Sequence, residues 1–165
     1  MFQTGEFVVK AGKGVCRVSE IGGLNITGMD KNRKYYTLIP MNDPDGRIYV
    51  PVDKAETSLR KTMTEEEARE FLAKVPAINE LKIENEKLRE TRYKEALKSY
   101  NPETIAELVK TTYTRKKKRD LEGKKCTAAD ERYFKQAEAL LCMELAYVFK
   151  IDMKQASEMM RNSVK

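Results

Sequence analysis

The 165-residue chain contains no histidine and no tryptophan. Without histidine it lacks the side chain most used as a general base near neutral pH, and the commonest zinc ligand. Its three cysteines, Cys16, Cys126 and Cys142, are far apart and match no metal-ligand spacing. In a reducing compartment an odd number of isolated thiols reads as buried or inert side chains. With no histidine to activate one, a catalytic thiol is not expected. No stretch approaches the roughly 18 consecutive apolar residues that a membrane span requires. The opening residues 1–6 carry neither the basic segment nor the apolar run of a secretory signal. These absences predict a cytoplasmic protein that binds rather than catalyses, with no cofactor and no metal.

Phosphate-cradle signals are missing as well. Gly12, Gly14, Gly22, Gly23 and Gly28 form no Gly-x-Gly-x-x-Gly leading into a helix, and no Lys-Ser/Thr closes a P-loop. They read as turn glycines. Glu65, Glu66 and Glu67 read as first-turn acids that suit a helix dipole. Glu84 and Glu86 alternate with Lys82, Lys87 and Arg89, the pattern of an exposed helix surface rather than of a buried acid–base pair.

What the chain has in quantity is charge, 35% of residues, with a net +6. The excess is uneven. Residues 1–60 hold nine basic and seven acidic side chains, whereas residues 115–125 alone hold seven basic and two acidic ones. The run Arg115, Lys116, Lys117, Lys118, Arg119 fits two readings. Clustered cations displace counterions from nucleic-acid phosphates, and they also suit a solvated helix end. Charge alone does not choose between them.

The hydrophobic period divides the chain in two. Residues 1–60 read as five short strands broken by turns, among them Phe7-Val8-Val9, Val15–Val18, Tyr35–Ile39 and Arg47–Val52. So many strands in so short a segment imply a small, strongly bent sheet or barrel. Strand alternation sends Tyr35 and Tyr36 to opposite faces, so both are not expected in the core. From residue 61 to 165 the spacing is helical, and about five helices are expected. Thr64 and Glu67 form a capping box, and a helix ends near Pro76. Residues 77–99 resume a helical pattern through Ile78, Leu81, Leu88, Tyr93 and Leu97. Asn101-Pro102 starts the next helix, Thr127 another, and Asp152 caps a last short one. The architecture is therefore α+β in two domains, a small β-barrel (1–60) followed by an all-α domain (61–165).

Three stretches, read in order, carry a family resemblance. The first is Phe7-Val8-Val9 with Gly14-Val15, Val18, Tyr35-Tyr36-Thr37-Leu38 and Val50-Pro51-Val52-Asp53. The second is Arg92-Tyr93-Lys94 with Ala106-Glu107-Leu108-Val109. The third runs from Leu121 through Thr127, Asp130-Glu131-Arg132, Ala137 and Leu140-Leu141 to Glu144-Leu145-Ala146. The pattern resembles the CarD family of bacterial RNA polymerase-binding transcription regulators, across nearly the whole chain. The resemblance implies a Tudor-like barrel, shared with the transcription-repair coupling factor, that binds the polymerase β subunit. It also implies a helical domain that contacts promoter DNA and alters open-complex stability. Such a protein would be nucleoid-associated through the polymerase.

Under that resemblance the polymerase-binding candidates are Leu24, Tyr36, Arg47, Tyr49 and Pro51. The DNA-binding candidates are Arg89, Arg92, Lys94, Arg115, Lys116, Lys117, Lys118, Arg119 and Arg132. The chain departs from the family at Arg89, where some members carry a tryptophan that wedges into the minor groove. It departs again at Leu24 and Tyr49, where some members carry basic residues. An arginine can enter a narrow minor groove but cannot wedge a base step as an indole does. Two other readings stand beside this one. One is a protein–protein adaptor on the polymerase that never touches DNA. The other is an RNA-binding module, disfavoured because the first half has no basic aromatic platform. A monomer is expected, with a domain-swapped dimer through edge strands as the alternative.

Overall fold

The computed structural model describes residues 1–164. The chain divides into two compact units, Met1–Thr62 and Met63 onward, each with its own core.

The first unit is one antiparallel sheet of five strands: β1 (Phe7–Lys10), β2 (Gly14–Gly22), β3 (Tyr35–Pro40), β4 (Ile48–Pro51) and β5 (Leu59–Lys61). Their order is β4-β3-β2-β1-β5, so β4 and β5 are the two edges. The sheet is curled into a half-barrel. Two local features support the curl. Gly12 and Gly14 take positive φ (75° and 84°), which lets the chain reverse tightly between β1 and β2. The β2–β3 register shifts between Val18 and Glu20, a bulge that increases local twist. Val8, Cys16, Val18, Tyr36, Leu38, Val50, Ala55 and Leu59 fill the concave core. Ala55 reaches it from a short 3₁₀ segment, Val52–Thr57, which links the two edges.

One expectation here is corrected. Tyr35 and Tyr36 are both buried, at 5% and 1% exposure. Alternation does separate them: Tyr36 joins the core cluster, and Tyr35 sits between its ladder neighbours Gly22 and Pro51 on the opposite side. Period-2 spacing fixes which way a side chain points, not whether that side is covered. Val9, Val15 and Thr37 are buried too.

Among the described residues the second unit has five α-helices: α1 (Glu65–Lys74), α2 (Arg89–Leu97), α3 (Pro102–Leu121), α4 (Ala128–Phe149) and α5 (Met153–Val164). Their starts follow the sequence signals. Thr64 and Glu67 form the reciprocal capping box, the Asn101 side chain accepts from Glu103 N–H with Pro102 at the first helical position, and the Thr127 side chain accepts from Asp130 N–H. Phe71, Tyr93, Leu108, Tyr133, Leu141 and Leu145 belong to the common core.

The segment after Pro76 departs from the helical reading. A short 3₁₀ turn covers Val75–Ala77, and regular structure resumes only with a 3₁₀ turn at Glu86–Leu88 that runs into α2. Between them Leu81 and Ile83 pack on the helical core while Lys82 and Glu84 face solvent, an alternation proper to extended chain. Side chains satisfy this backbone: Leu81 N–H donates to Thr111 Oγ1 at 2.8 Å, and Lys110 Nζ donates to the carbonyls of Pro76 and Ile78.

Helix α4 ends at Lys150 in the left-handed region, with φ 55° and ψ 46°. That conformation costs an L-residue about 1–2 kcal/mol, and glycine would lose roughly 0.5–1 kcal/mol of this gain through a freer unfolded chain. Lys150→Gly is therefore expected to stabilise the protein by about 0.5–1 kcal/mol, read as a rise of a few degrees in calorimetric Tm.

Candidate functional site

Around the N-terminus of α2, charged side chains from three helices close into a ring. Asp130, in the first turn of α4, is only 2% exposed. Its Oδ1 accepts from Tyr93 Oη of α2 at 2.8 Å, and its Oδ2 accepts from Arg115 Nε of α3 at 2.9 Å. Tyr93 Oη in turn accepts from Arg89 Nη1 at 3.2 Å. Glu86 closes the ring, gripping Arg89 through both carboxylate oxygens at 2.8 and 2.5 Å and lying 3.7 Å from Arg115. The Arg89 guanidinium also lies over the Tyr93 ring, 5.9 Å from its centroid.

The electrostatics follow from this geometry. Burial pushes the Asp130 carboxyl up, but the donors Tyr93, Arg115 and Thr127, together with the Arg115 charge, outweigh it and hold the group below its ordinary value. Burial pushes the Tyr93 hydroxyl up to about 12. The Arg89 hydrogen bonds hold the exposed Glu86 carboxyl down at about 2. At neutral pH the ring contains two carboxylates, two guanidinium groups and one neutral phenol.

A second set of pairs flanks the ring. Arg92 bridges Glu95 (2.9 Å) and Glu84 (3.4 Å). Glu90 receives Arg132 at 3.3 Å, Tyr133 Oη at 3.0 Å and Lys94 at 3.9 Å, while Arg132 stacks over the Tyr133 ring. Five of the nine cations expected to contact DNA, namely Arg89, Arg92, Lys94, Arg115 and Arg132, thus gather around α2, each paired with a carboxylate. Leu88, expected within the apolar stripe, instead stands 38% exposed beside Arg89, because the 3₁₀ turn rotates it off the buried face.

The other four candidates do not join this group. Successive residues on a helix step round its axis, so the run from 115 to 119 cannot share a face. Arg115 turns to Asp130. Lys116 and Lys117 line a cavity of about 470 Å³ between α3, α4 and α5, floored by Val109, Phe134 and Met160. Arg119 Nε donates to the Lys125 carbonyl at 2.8 Å. Lys118 is exposed.

In the first unit, Arg47, Tyr49 and Pro51 fall on one side of the edge strand β4 and its approach. Arg47 is exposed and Tyr49 is 36% exposed. Leu24 is half-buried in the connection between β2 and β3. Tyr36 is corrected as a surface candidate: it is core, its ring meets Phe2 edge-on at 5.8 Å, and its hydroxyl accepts from Phe2 N–H.

Of the residues that organise the site, Asp130, Tyr93 and Glu86 were not among the expected ones. In the sequence Asp130 stood only within the stretch after Thr127 that carries the resemblance, with no sign of its role, because its partners lie 15 and 37 residues away. Burial pushes the Cys16 thiol up to about 11 and that of Cys142 up to about 12, and it raises half-buried Cys126 as well. Among the described residues no cluster of histidine, cysteine or carboxylate side chains gathers to hold a metal, and no helix is long and apolar enough to cross a membrane.

Comparison with known families matches both units. Residues 2–63 match the CarD-like/TRCF RID domain, and residues 76–161 match the CarD C-terminal domain. The chain belongs to the CarD family. No curated protein matches it. CarD-family domains mark an RNA polymerase-interacting transcription factor, and the family's regulators are non-enzymatic. The first matched CarD segment ends at residue 63, where the sheet unit gives way to the helical one.

Because Asp130 is held ionised by its partners, its contribution to stability is fully present above about pH 4 and is lost as pH falls through its lower folded-state value. Asp130→Asn is expected to cost about 2 kcal/mol or more at pH 7. It should also give a flatter acid limb than the wild type in urea unfolding between pH 5 and pH 2. Parallel acid limbs would show that the carboxylate is not what titrates.

Proposed function

We propose that this CarD-family chain is held on the RNA polymerase β subunit by its sheet unit, and that the α2 face of its helical unit bears on promoter DNA to alter open-complex stability. The observation that carries the DNA reading is the tip at Leu88 and Arg89, where exposed Leu88 stands beside a guanidinium that Glu86 and Tyr93 largely cover. It pairs an apolar side chain with a guanidinium, and the buried Tyr93–Asp130–Arg115 contacts brace it from beneath. Arginine suits the narrow minor groove and phosphate oxygens, and leucine is among the apolar side chains that enter between base steps. Few bare cations lie nearby, so intrinsic affinity for DNA is low. Tethering to the polymerase raises the local DNA concentration enough for weak contacts to matter.

The tether reading rests on β4. It is an edge strand, with no strand paired to its outer side among the described residues, and it displays Arg47, Tyr49 and Pro51. An exposed edge can accept a partner strand, with the flanking side chains setting specificity. Lys116, Lys117, Lys118 and Arg119 would supply a more diffuse attraction to phosphates. The chain acts as a monomer on this reading, inside the cell and on the polymerase.

A second reading is favoured by the ion pairing itself. Five cations around α2 are already matched by carboxylates, which also suits an adaptor that binds protein and not DNA. The two readings separate on salt dependence. If α2 meets phosphates, the double variant Arg89→Ala/Arg92→Ala shortens the open-complex lifetime that the wild type confers. It also lowers the slope of log affinity against log salt by about 1 for each phosphate no longer neutralised. An unchanged lifetime and slope would favour the adaptor. For the tether, Tyr49→Ala is expected to weaken binding of the full chain to the polymerase about tenfold in calorimetry, and unaltered binding would remove β4 as the docking strand.

A further inference from the structure

We infer that Glu86 is an exchangeable counter-ion: it holds Arg89 and Arg115 in the DNA-free protein and yields its place to a phosphate when the protein meets nucleic acid. This rests on the proposed function and adds its regulation.

The ring has two carboxylates with very different surroundings. Asp130 is 2% exposed and wedged between three helices, so it cannot leave without opening the core. Glu86 has a side chain 71% exposed and sits on the single 3₁₀ turn before α2, where it can swing into solvent without moving any helix. The two arginines between them are only 19% and 27% exposed. Arg89 is covered from one side by Tyr93 and from the other by Glu86. Removing Glu86 therefore uncovers the guanidinium edge that carries Nε and Nη2, the pair of donors that suits two phosphate oxygens as well as two carboxylate oxygens.

Both arginines keep their positions without Glu86. Arg115 remains on Asp130 at 2.9 Å, and Arg89 remains over the Tyr93 ring with its Nη1 on the hydroxyl. The protein thus keeps a preorganised pair of cations whose charge is cancelled until a competing anion arrives. A lone phosphate must displace an intramolecular carboxylate and gains little. A polymerase-held duplex, with many phosphates at high local concentration, can drive the exchange. Glu86 therefore selects for DNA presented in the promoter complex over DNA at large.

The test compares full-length wild type, Glu86→Gln and Glu158→Gln for binding to a promoter duplex alone and to the polymerase–promoter complex. Glu158 is exposed on α5, away from the ring, so its variant makes the same change in net charge elsewhere. Glu86→Gln is expected to bind the free duplex severalfold more tightly at about 0.1 M salt, with a salt slope steeper by about 1, and Glu158→Gln much less so. Equal gains in the two variants, or no gain in Glu86→Gln, would overturn the inference. The Arg89→Ala/Arg92→Ala variant separates the two levels. If it binds as the wild type does, the DNA reading itself fails. If it loses binding while Glu86→Gln gains none, only the counter-ion role fails.

Discussion

The placement of α2 depends on the buried carboxylate of Asp130. Asp130 lies where α2, α3 and α4 meet, and its two oxygens take donors from two different helices. Burying an ion is costly unless its partners are well placed. Here a phenol and a guanidinium meet it at short range, and edge-on packing of the Tyr93 and Tyr133 rings, 5.3 Å apart, shapes the space beside them. Because each donor sits on a different helix, the same bonds that satisfy the charge fix the angle at which α2 leaves the bundle. Leu88 and Arg89 then project where that angle sends them. A hydrophobic substitute could hold the helices together, but it would not dictate which side chains stand at the tip.

The surface that results is not the bare cationic patch that a count of lysines and arginines suggests. Around α2 nearly every guanidinium has a carboxylate within reach, while Lys116, Lys117 and Lys118, further along α3, form no ion pair among the described residues. Matched pairs cost affinity for phosphate but hold the arginines in defined positions. Unmatched lysines attract phosphate over distance but orient nothing. On the function proposed above, this division suits a factor that does not bind DNA indiscriminately yet holds a fixed geometry once brought to a promoter. In the sheet unit β4 keeps an open edge with Tyr49 partly exposed, while the tyrosines of β3 stay inside, and the proposed tether rests on that arrangement.

Much of the fold was legible in the residues. The change of period after Arg60, the capping box at Thr64, the Asn101-Pro102 start and the Thr127 cap each encode local structure through local chemistry. Two readings went astray where tertiary structure decides. Leu81 and Ile83 fit a helical stripe as well as an extended one, and only the Lys110 ammonium as donor and the Thr111 hydroxyl as acceptor, some 30 residues on, settle the matter. Tyr35 is covered on a face that a single-layer reading leaves open. The site was legible in its cations and not in its organisation. A list of arginines contains no information about Glu86 lying between two of them, or about Asp130 beneath, because those neighbours meet only through folding.

The most direct measurement places a photoreactive side chain at position 88 of the full-length protein and maps its crosslinks in the polymerase–promoter open complex. If the α2 tip bears on DNA, the label attaches to promoter DNA at the upstream edge of the melted region, and only when polymerase is present. Crosslinks to a polymerase subunit with none to DNA would contradict this placement of α2 and leave an adaptor in its place.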